Sequence, residues 1–248
     1  MRGFLVVAFG VLACAAYPAA AAEPAKRPAA RPAPKAVAPE PAPETVAQLA
    51  AWAKAAGDNR NLPFIVIDKV AARVFVYAKD GTLRASTPAL VGAAVGDDST
   101  PGIGDREMSD IAPEERTTPA GRYMAAYGRG PDGKKVFWVD YDTAISLHPV
   151  VTAQPKERRL ERLRSPTPKD NRITFGCINV PAAFYEQHVR RTFAAGGVVY
   201  ILPEVRPLAA VFPTFAYTLA SQTLPAAVPV ADTGLAGPPR SFPSGGTN

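Results

Sequence analysis

Cys177 is the residue from which chemistry is most readily built. It stands in Thr174-Phe175-Gly176-Cys177-Ile178-Asn179-Val180-Pro181, where the glycine lets the backbone turn tightly and a substrate carbonyl approach closely. A thiol attacks only as thiolate, so a base or a positive neighbourhood must accompany it. The chain has two histidines to choose from, His148 and His188. His148 ends the run Ala144-Ile145-Ser146-Leu147-His148, whose alternation sends Ile145 and Leu147 to one face and Ser146 and His148 to the other. A base at a strand end can be aimed. His188 lies in a segment of helical spacing beside Arg190 and Arg191, where solvated histidines are common. His148 is therefore the expected base, with a capped strand-edge histidine as the alternative reading. Cys177 is the expected nucleophile, with a buried small hydrophobe as its alternative. Ser146 either orients His148 or is a strand-surface serine.

The elements that must hold these residues are mostly strands. Apolar runs at FIVID and ARVFVY, the turn Lys79-Asp80-Gly81 and a third run near Leu83–Val91 predict a hairpin meander. Further short strands are expected at 121–129, 134–141, 143–148 and 198–202, with helical spacing at 181–193. Upstream, Thr45 and Gln48 have capping-box spacing, and Val46, Leu49, Trp52 and Ala53 share a face, which predicts a short helix over 44–59. The expected architecture is a mainly β domain over 60–203 with one or two short helices. Two long irregular segments, 92–119 and 149–172, interrupt it, and loops of that length tend to be functional. Asp97 and Asp98 lack EF-hand spacing and read as a polar loop.

Composition narrows the class. Among 248 residues are 27 prolines and 19 glycines, which points away from a helical bundle or coiled coil. Two cysteines and two histidines leave neither a disulfide framework nor an ordinary four-ligand zinc site. Residues 1–22 read as an export signal, with Arg2, an apolar run and Ala20-Ala21-Ala22 as the cleavage pattern. The run from Gly3 to Tyr17 falls short of the ~20 residues needed to span hydrocarbon, so no membrane span is expected after cleavage. Lipidation at Cys14 in Val11-Leu12-Ala13-Cys14 is the alternative. Cleavage removes Cys14 and leaves Cys177 as the lone thiol of an exported chain. Residues 23–43, with seven prolines, read as an extended linker. Residues 204–248 read as a largely disordered tail, apart from an apolar patch near Val211–Tyr217 that docks on the domain. The net charge of +6 on an exported protein suits anionic envelope polymers rather than nucleic acid.

The motifs resemble those of the L,D-transpeptidase (YkuD) family, in a proteobacterial-type branch. That family carries a strand-end histidine, then a [Ser/Thr]-His-Gly-Cys-hydrophobic-Asn/Arg signature, with a Thr-Pro-x-Gly-aromatic segment upstream. Here these are matched by His148, by Thr174-Phe175-Gly176-Cys177-Ile178-Asn179 and by Thr118-Pro119-Ala120-Gly121-Arg122-Tyr123. The resemblance covers about 60–203. Phe175 replaces the signature's second histidine, and 29 positions separate His148 from Cys177 because of a basic insertion, Lys156–Arg172.

The resemblance implies an L,D-transpeptidase-like mixed β-sandwich and an acyl transfer that needs neither metal nor cofactor. His148 would take the proton of Cys177, and the thiolate would attack a peptidoglycan stem tetrapeptide and release D-alanine. The acyl group would then pass to an amine: another stem peptide, a wall-attached protein or a D-amino acid. Backbone N–H groups at Gly176 and Cys177 are the expected oxyanion donors. Asn179, Arg172, Thr174 and Phe175 are the expected substrate-side residues. Lys156 to Arg172 holds seven basic side chains against three acidic ones, suited to a carboxylate-rich substrate, although a solvated turn or helix is the blander reading for any one of them. The expected location is the periplasm. Two rival readings share these residues: a hydrolase in which water replaces the amine, and a wall-binding module in which Phe175 marks a lost activity.

Overall fold

The computed structural model describes residues 41–130, 133 and 135–223. The expected export signal, nearly all of the linker and the end of the tail lie outside the described residues.

β1 (Phe64–Asp68), β2 (Arg73–Tyr77) and β3 (Leu83–Pro88) form an antiparallel meander. Gly81, at φ +84, supplies the left-handed position of the β2–β3 turn. β10 (Gly197–Ile201) runs parallel to β1 and antiparallel to the first half of β5 (Gly121–Arg129). The second half of β5 leaves β10 and pairs with β6 (Lys135–Asp140), which pairs with β7 (Ile145–Pro149), which runs parallel to β9 (Ile178–Val180). The strand order is β3-β2-β1-β10-β5-β6-β7-β9, and β4 (Val91–Gly92) pairs separately with β8 (Arg172–Thr174).

Alternation along these strands builds two apolar layers. Ile65, Ile67, Val74, Val76, Val199 and Ile201 point inward and meet Phe137, Val139, Ile145, Leu147, Ile178 and Val180 from the β6-β7-β9 half. Tyr185, Val189 and Phe193, from the helical segment 182–192 and the residue after it, complete that layer. The opposite face of the first half carries Phe64, Val66, Phe75, Tyr77, Val198 and Tyr200, and these are covered by Val46, Leu49, Ala50 and Ala53 of α1 (Glu44–Ala55) and by Phe212 and Phe215. β1 and β10 are thus buried on both faces, which is why they read as nearly continuous apolar runs. The protein is mainly β, with the two sheet halves stacked on a shared core.

One expectation needs correction. The Thr45/Gln48 capping box does not form: the helix begins at Glu44 after Pro43, and Gln48 Nε2 donates instead to Glu44 Oε1 at 2.9 Å. Within 60–203 lie two short helices, α2 (Arg159–Arg162) in the basic insertion and α3, the segment 182–192. Beyond β10, residues of the expected tail form α4 (Leu208–Val211) and α5 (Pro213–Thr223). The apolar patch docks through Phe212 and Phe215, both buried.

The segment 92–119 is pinned by a buried ion cluster. Lys69 Nζ, fully buried, donates to Asp97 Oδ1 at 2.6 Å, to Gly96 O at 2.6 Å and to Thr118 O at 2.9 Å. Asp97 in turn accepts from the backbone N–H groups of Glu204, Val205 and Arg206. Asp97 is therefore an internal fastening, while Asp98 stays exposed and pairs with Arg206 at 2.9 Å. Among the described residues no group of three or more His, Cys, Asp or Glu is arranged to hold a metal ion, and no helix is long and apolar enough to cross a membrane.

Candidate active site

The β7–β9 edge brings the chemical residues together. The parallel register sets His148 beside Asn179. Because Ile178 and Val180 are drawn into the core, Cys177 and Asn179 emerge on the face that carries Ser146 and His148. Cys177 is partly exposed, with Ser146 Oγ 3.5 Å from its Sγ and Ala144 O at 3.6 Å. His148 Nδ1 lies 2.8 Å from Pro149 O, and its Nε2 lies 3.0 Å from Asn179 Nδ2. A carbonyl can only accept, so Nδ1 carries a proton.

The electrostatics of the pair favour a reactive thiol. Burial pushes the Cys177 thiol up, but the hydrogen bond and charge of His148, helped by Ser146, outweigh it and leave the thiol below its ordinary value. Burial pushes His148 down, yet Cys177 and the Pro149 carbonyl raise it overall, with the Arg159 charge working against them. Each group favours the charged form of the other, which is how a thiolate is made available near neutral pH.

The turn that presents Cys177 depends on Gly176. It sits at φ +128, and a Cβ there would lie 2.6 Å from both Thr117 O and Ile145 Cδ1. Thr174 ties the turn internally: its Oγ1 accepts from the Gly176 N–H at 3.1 Å and donates to Cys177 O at 2.7 Å. Thr118, from the upstream Thr-Pro segment, donates through Oγ1 to Gly176 O at 2.8 Å and accepts from the Gly92 N–H at 2.9 Å. The Gly176 amide is thus turned away from the position expected of an oxyanion donor. Among the described residues the Cys177 N–H has no protein partner, and it is the donor left beside the thiol.

A cavity of about 520 Å³ opens over the thiol. Cys177, His148, Asn179, Thr174 and Phe175 line it from the strands and the turn. Met108 closes one side from the first long segment, while Val151, Ala153, Gln154, Glu157 and Arg159 close the other from the second. Phe175, at the place of the signature's second histidine, forms an apolar wall, and the Arg116 guanidinium stacks 4.1 Å from its ring centroid.

Of the expected substrate-side residues, Phe175, Asn179 and Thr174 line the cavity, the last two also making internal bonds, and Arg172 does not. Asn179 is buried and bonds His148 and Arg159, and Thr174 shapes the turn. Arg172 lies outside the cavity lining: its guanidinium pairs with Glu204 and donates to Ala94 O at 3.1 Å and Gly92 O at 3.3 Å, so it braces the first long segment. Ser146, expected either to orient His148 or to be a strand-surface serine, is buried and contacts Cys177. His188 lies outside the cavity, packed on Phe184 at 5.0 Å and lowered by burial. Met108 lines the cavity without any motif to mark it in the sequence, and Glu157 and Arg159 were legible only as two among the ten charges of the basic insertion.

No protein-family model matches the chain, and no curated protein matches it. Solved structures do. The chain is similar to the helical cell shape determining protein Pgp2 from Campylobacter jejuni, with 18% identity and a TM-score of 0.37 over 58% of this chain and 49% of that one. It is also similar to an L,D-transpeptidase from Xylanimonas cellulosilytica, at 12% identity and TM-score 0.36 over 56% of this chain and 60% of that one. A third similarity is to the catalytic domain of the Enterococcus faecium L,D-transpeptidase, at 17% identity and TM-score 0.30 over 56% of this chain and 95% of that one. The match spans about half the length of the first of these structures and three fifths of the second.

Proposed function

We propose that the protein is a periplasmic peptidoglycan L,D-transpeptidase with Cys177 as nucleophile and His148 as base. The observation that carries this reading is a partly exposed thiol, held below its ordinary pKa by a strand-fixed imidazole, at the floor of an open cavity. The Gly-Cys-Ile-Asn signature and the preceding strand histidine support the substrate class.

In the proposed reaction Cys177 gives its proton to His148, and Sγ attacks the carbonyl carbon of the penultimate residue of a stem tetrapeptide. The tetrahedral oxyanion is met by the Cys177 N–H. The carbon–nitrogen bond then breaks, His148 returns the proton to the departing D-alanine amine, and a thioester remains on Sγ. An acceptor amine attacks the thioester, loses its proton to His148 and expels the thiolate. Ser146, within 3.5 Å of Sγ, steadies the thiolate by donating a hydrogen bond. Phe175 keeps one wall apolar, which strengthens the electrostatic contacts inside.

The test is mass spectrometry of products after incubating the purified chain from residue 23 with disaccharide-tetrapeptide, with Cys177→Ala as control. A cross-linked dimer or a D-amino-acid-exchanged product, absent from the control, supports transfer. Tripeptide alone assigns hydrolysis to the same thiol, and unchanged substrate in both samples overturns the enzymatic reading.

A further inference from the structure

A line of polar contacts runs from the basic insertion to the base. Glu157 Oε2 accepts from Arg159 Nε at 2.5 Å, Arg159 Nη1 donates to Asn179 Oδ1 at 2.8 Å, and the other end of that amide meets His148 Nε2 at 3.0 Å. A guanidinium has donors only, so the Asn179 atom facing Arg159 is its oxygen. The amide nitrogen must then face His148, and because it too is a donor, Nε2 must accept. The remaining ring proton sits on Nδ1, where Pro149 O receives it at 2.8 Å. These contacts agree with one state of the ring: neutral, with its proton on Nδ1 and a lone pair on Nε2.

We propose that Arg159 is a positioning residue: by holding the oxygen of the Asn179 amide it turns the amide nitrogen toward His148, which fixes the ring proton on Nδ1 and leaves Nε2 the unprotonated nitrogen, its lone pair met by Asn179 until a proton arrives. With Arg159 absent the amide can turn over, and its oxygen then faces Nε2 and favours a ring protonated there. A base that already holds a proton at Nε2 cannot accept one from Cys177. The charged and titratable groups facing His148 are Cys177 from the turn and Arg159 from α2, with Glu157 behind Arg159 partly offsetting its charge. The cation opposes protonation of the ring, so its charge and its hydrogen bond act in the same direction. In this position the Arg159 side chain is only 15% exposed and lines the cavity together with His148 and Cys177.

The inference takes from the proposed function only that His148 is the proton acceptor of Cys177, and its test reads the ring without substrate. The experiment is nitrogen-15 NMR of the histidine-labelled chain across pH, with His148 assigned by loss of the other signal in His188→Gln. In the unsubstituted protein His148 should show the Nδ1–H tautomer. Arg159→Met should move population to Nε2–H and shift the titration to higher pH. Arg159→Lys, which keeps a charge and a donor, should retain the original tautomer and titration. Glu157→Gln leaves the Arg159–Asn179 bond in place and should shift the titration to lower pH with the tautomer unchanged. A tautomer and titration in Arg159→Met identical to the unsubstituted protein would overturn the proposal, as would equal shifts in the Met and Lys variants or an Nε2–H ring at the outset. Failure of acyl transfer in the product assay would leave these readings intact, so the two hypotheses fail separately.

Discussion

The two long irregular segments that wall the cavity are held in opposite ways. Segment 92–119 is fastened from inside the protein: Lys69 and Asp97 have no exposed side-chain surface, and Arg172 and Glu204 brace the same stretch. Segment 149–172 is held largely from outside, by the exposed Arg158–Glu161 pair and by Arg162 donating to Glu157 O and Asp170 O. Its inward contacts are Leu163, which is buried, Asn171 donating to Ala89 O at 3.0 Å, and Arg159 on Asn179. The first segment is fastened through a buried ion cluster, and the second through side chains on either side of an exposed stretch, one of which bonds the Asn179 amide beside His148.

The largest expected effect is on the first segment. Lys69→Met removes a buried cation and leaves Gly96 O and Thr118 O without this donor, a change that should cost about 3–5 kcal/mol in urea unfolding. A loss under about 1 kcal/mol would mean that the cluster contributes little and that the two segments are alike. Gly176→Ala should also be severe, because it combines a positive φ with a 2.6 Å contact to a backbone oxygen. It should abolish product formation and lower the unfolding midpoint together.

Acid comes next. Asp97 is held down at about 2 in the folded protein by its three backbone donors and Lys69, against burial, and an unfolded aspartate titrates near about 4. The folded value is the lower one, so the stabilisation is fully present above about pH 4 and is lost as pH falls toward 2, amounting to roughly 2 kcal/mol. Unfolding midpoints between pH 5 and pH 2 should show this loss, and Asp97→Asn should flatten it. The smallest effect belongs to the second segment. Arg158→Ala, at an exposed pair, should leave the unfolding midpoint unchanged. Native-state hydrogen exchange should likewise find the amides of 156–166 opening well before that of Asp97. Protection of both segments to the same degree would dissolve the contrast between them.

Much of this arrangement was legible from short-range pattern. Alternation over Ala144–His148 separated Ile145 and Leu147, which face the core, from His148, which faces the cavity, since side-chain direction in a strand follows a period of two. The Gly-Cys pair announced a tight turn, and Gly176 has the positive φ that such a turn requires. The misses share a cause. Arg172 looked like a substrate arginine because it precedes the cysteine turn, but its partner, Glu204, is 32 positions away. Lys69 carries no local mark of its role, since its partner Asp97 is 28 positions away and only the folded chain brings the two together. In the tail, prolines read as breakers, whereas Pro207 precedes α4 and Pro213 opens α5, a place where the ring's fixed φ suits a helix start and no N–H is needed. Arg159 was one of seven similar charges, and nothing in its local sequence marks it as the one that turns inward.

The central claim is that Cys177 carries an acyl group because His148 makes it a thiolate. It is tested most directly by intact-protein mass spectrometry after brief incubation with stem tetrapeptide, comparing the unsubstituted protein with His148→Ala. The unsubstituted protein should gain the mass of the substrate less D-alanine, on the peptide containing Cys177, and His148→Ala should gain it roughly tenfold more slowly or not at all, a tenfold change corresponding to about 1.4 kcal/mol. Equal acylation of both proteins, or an adduct on a residue other than Cys177, would contradict it.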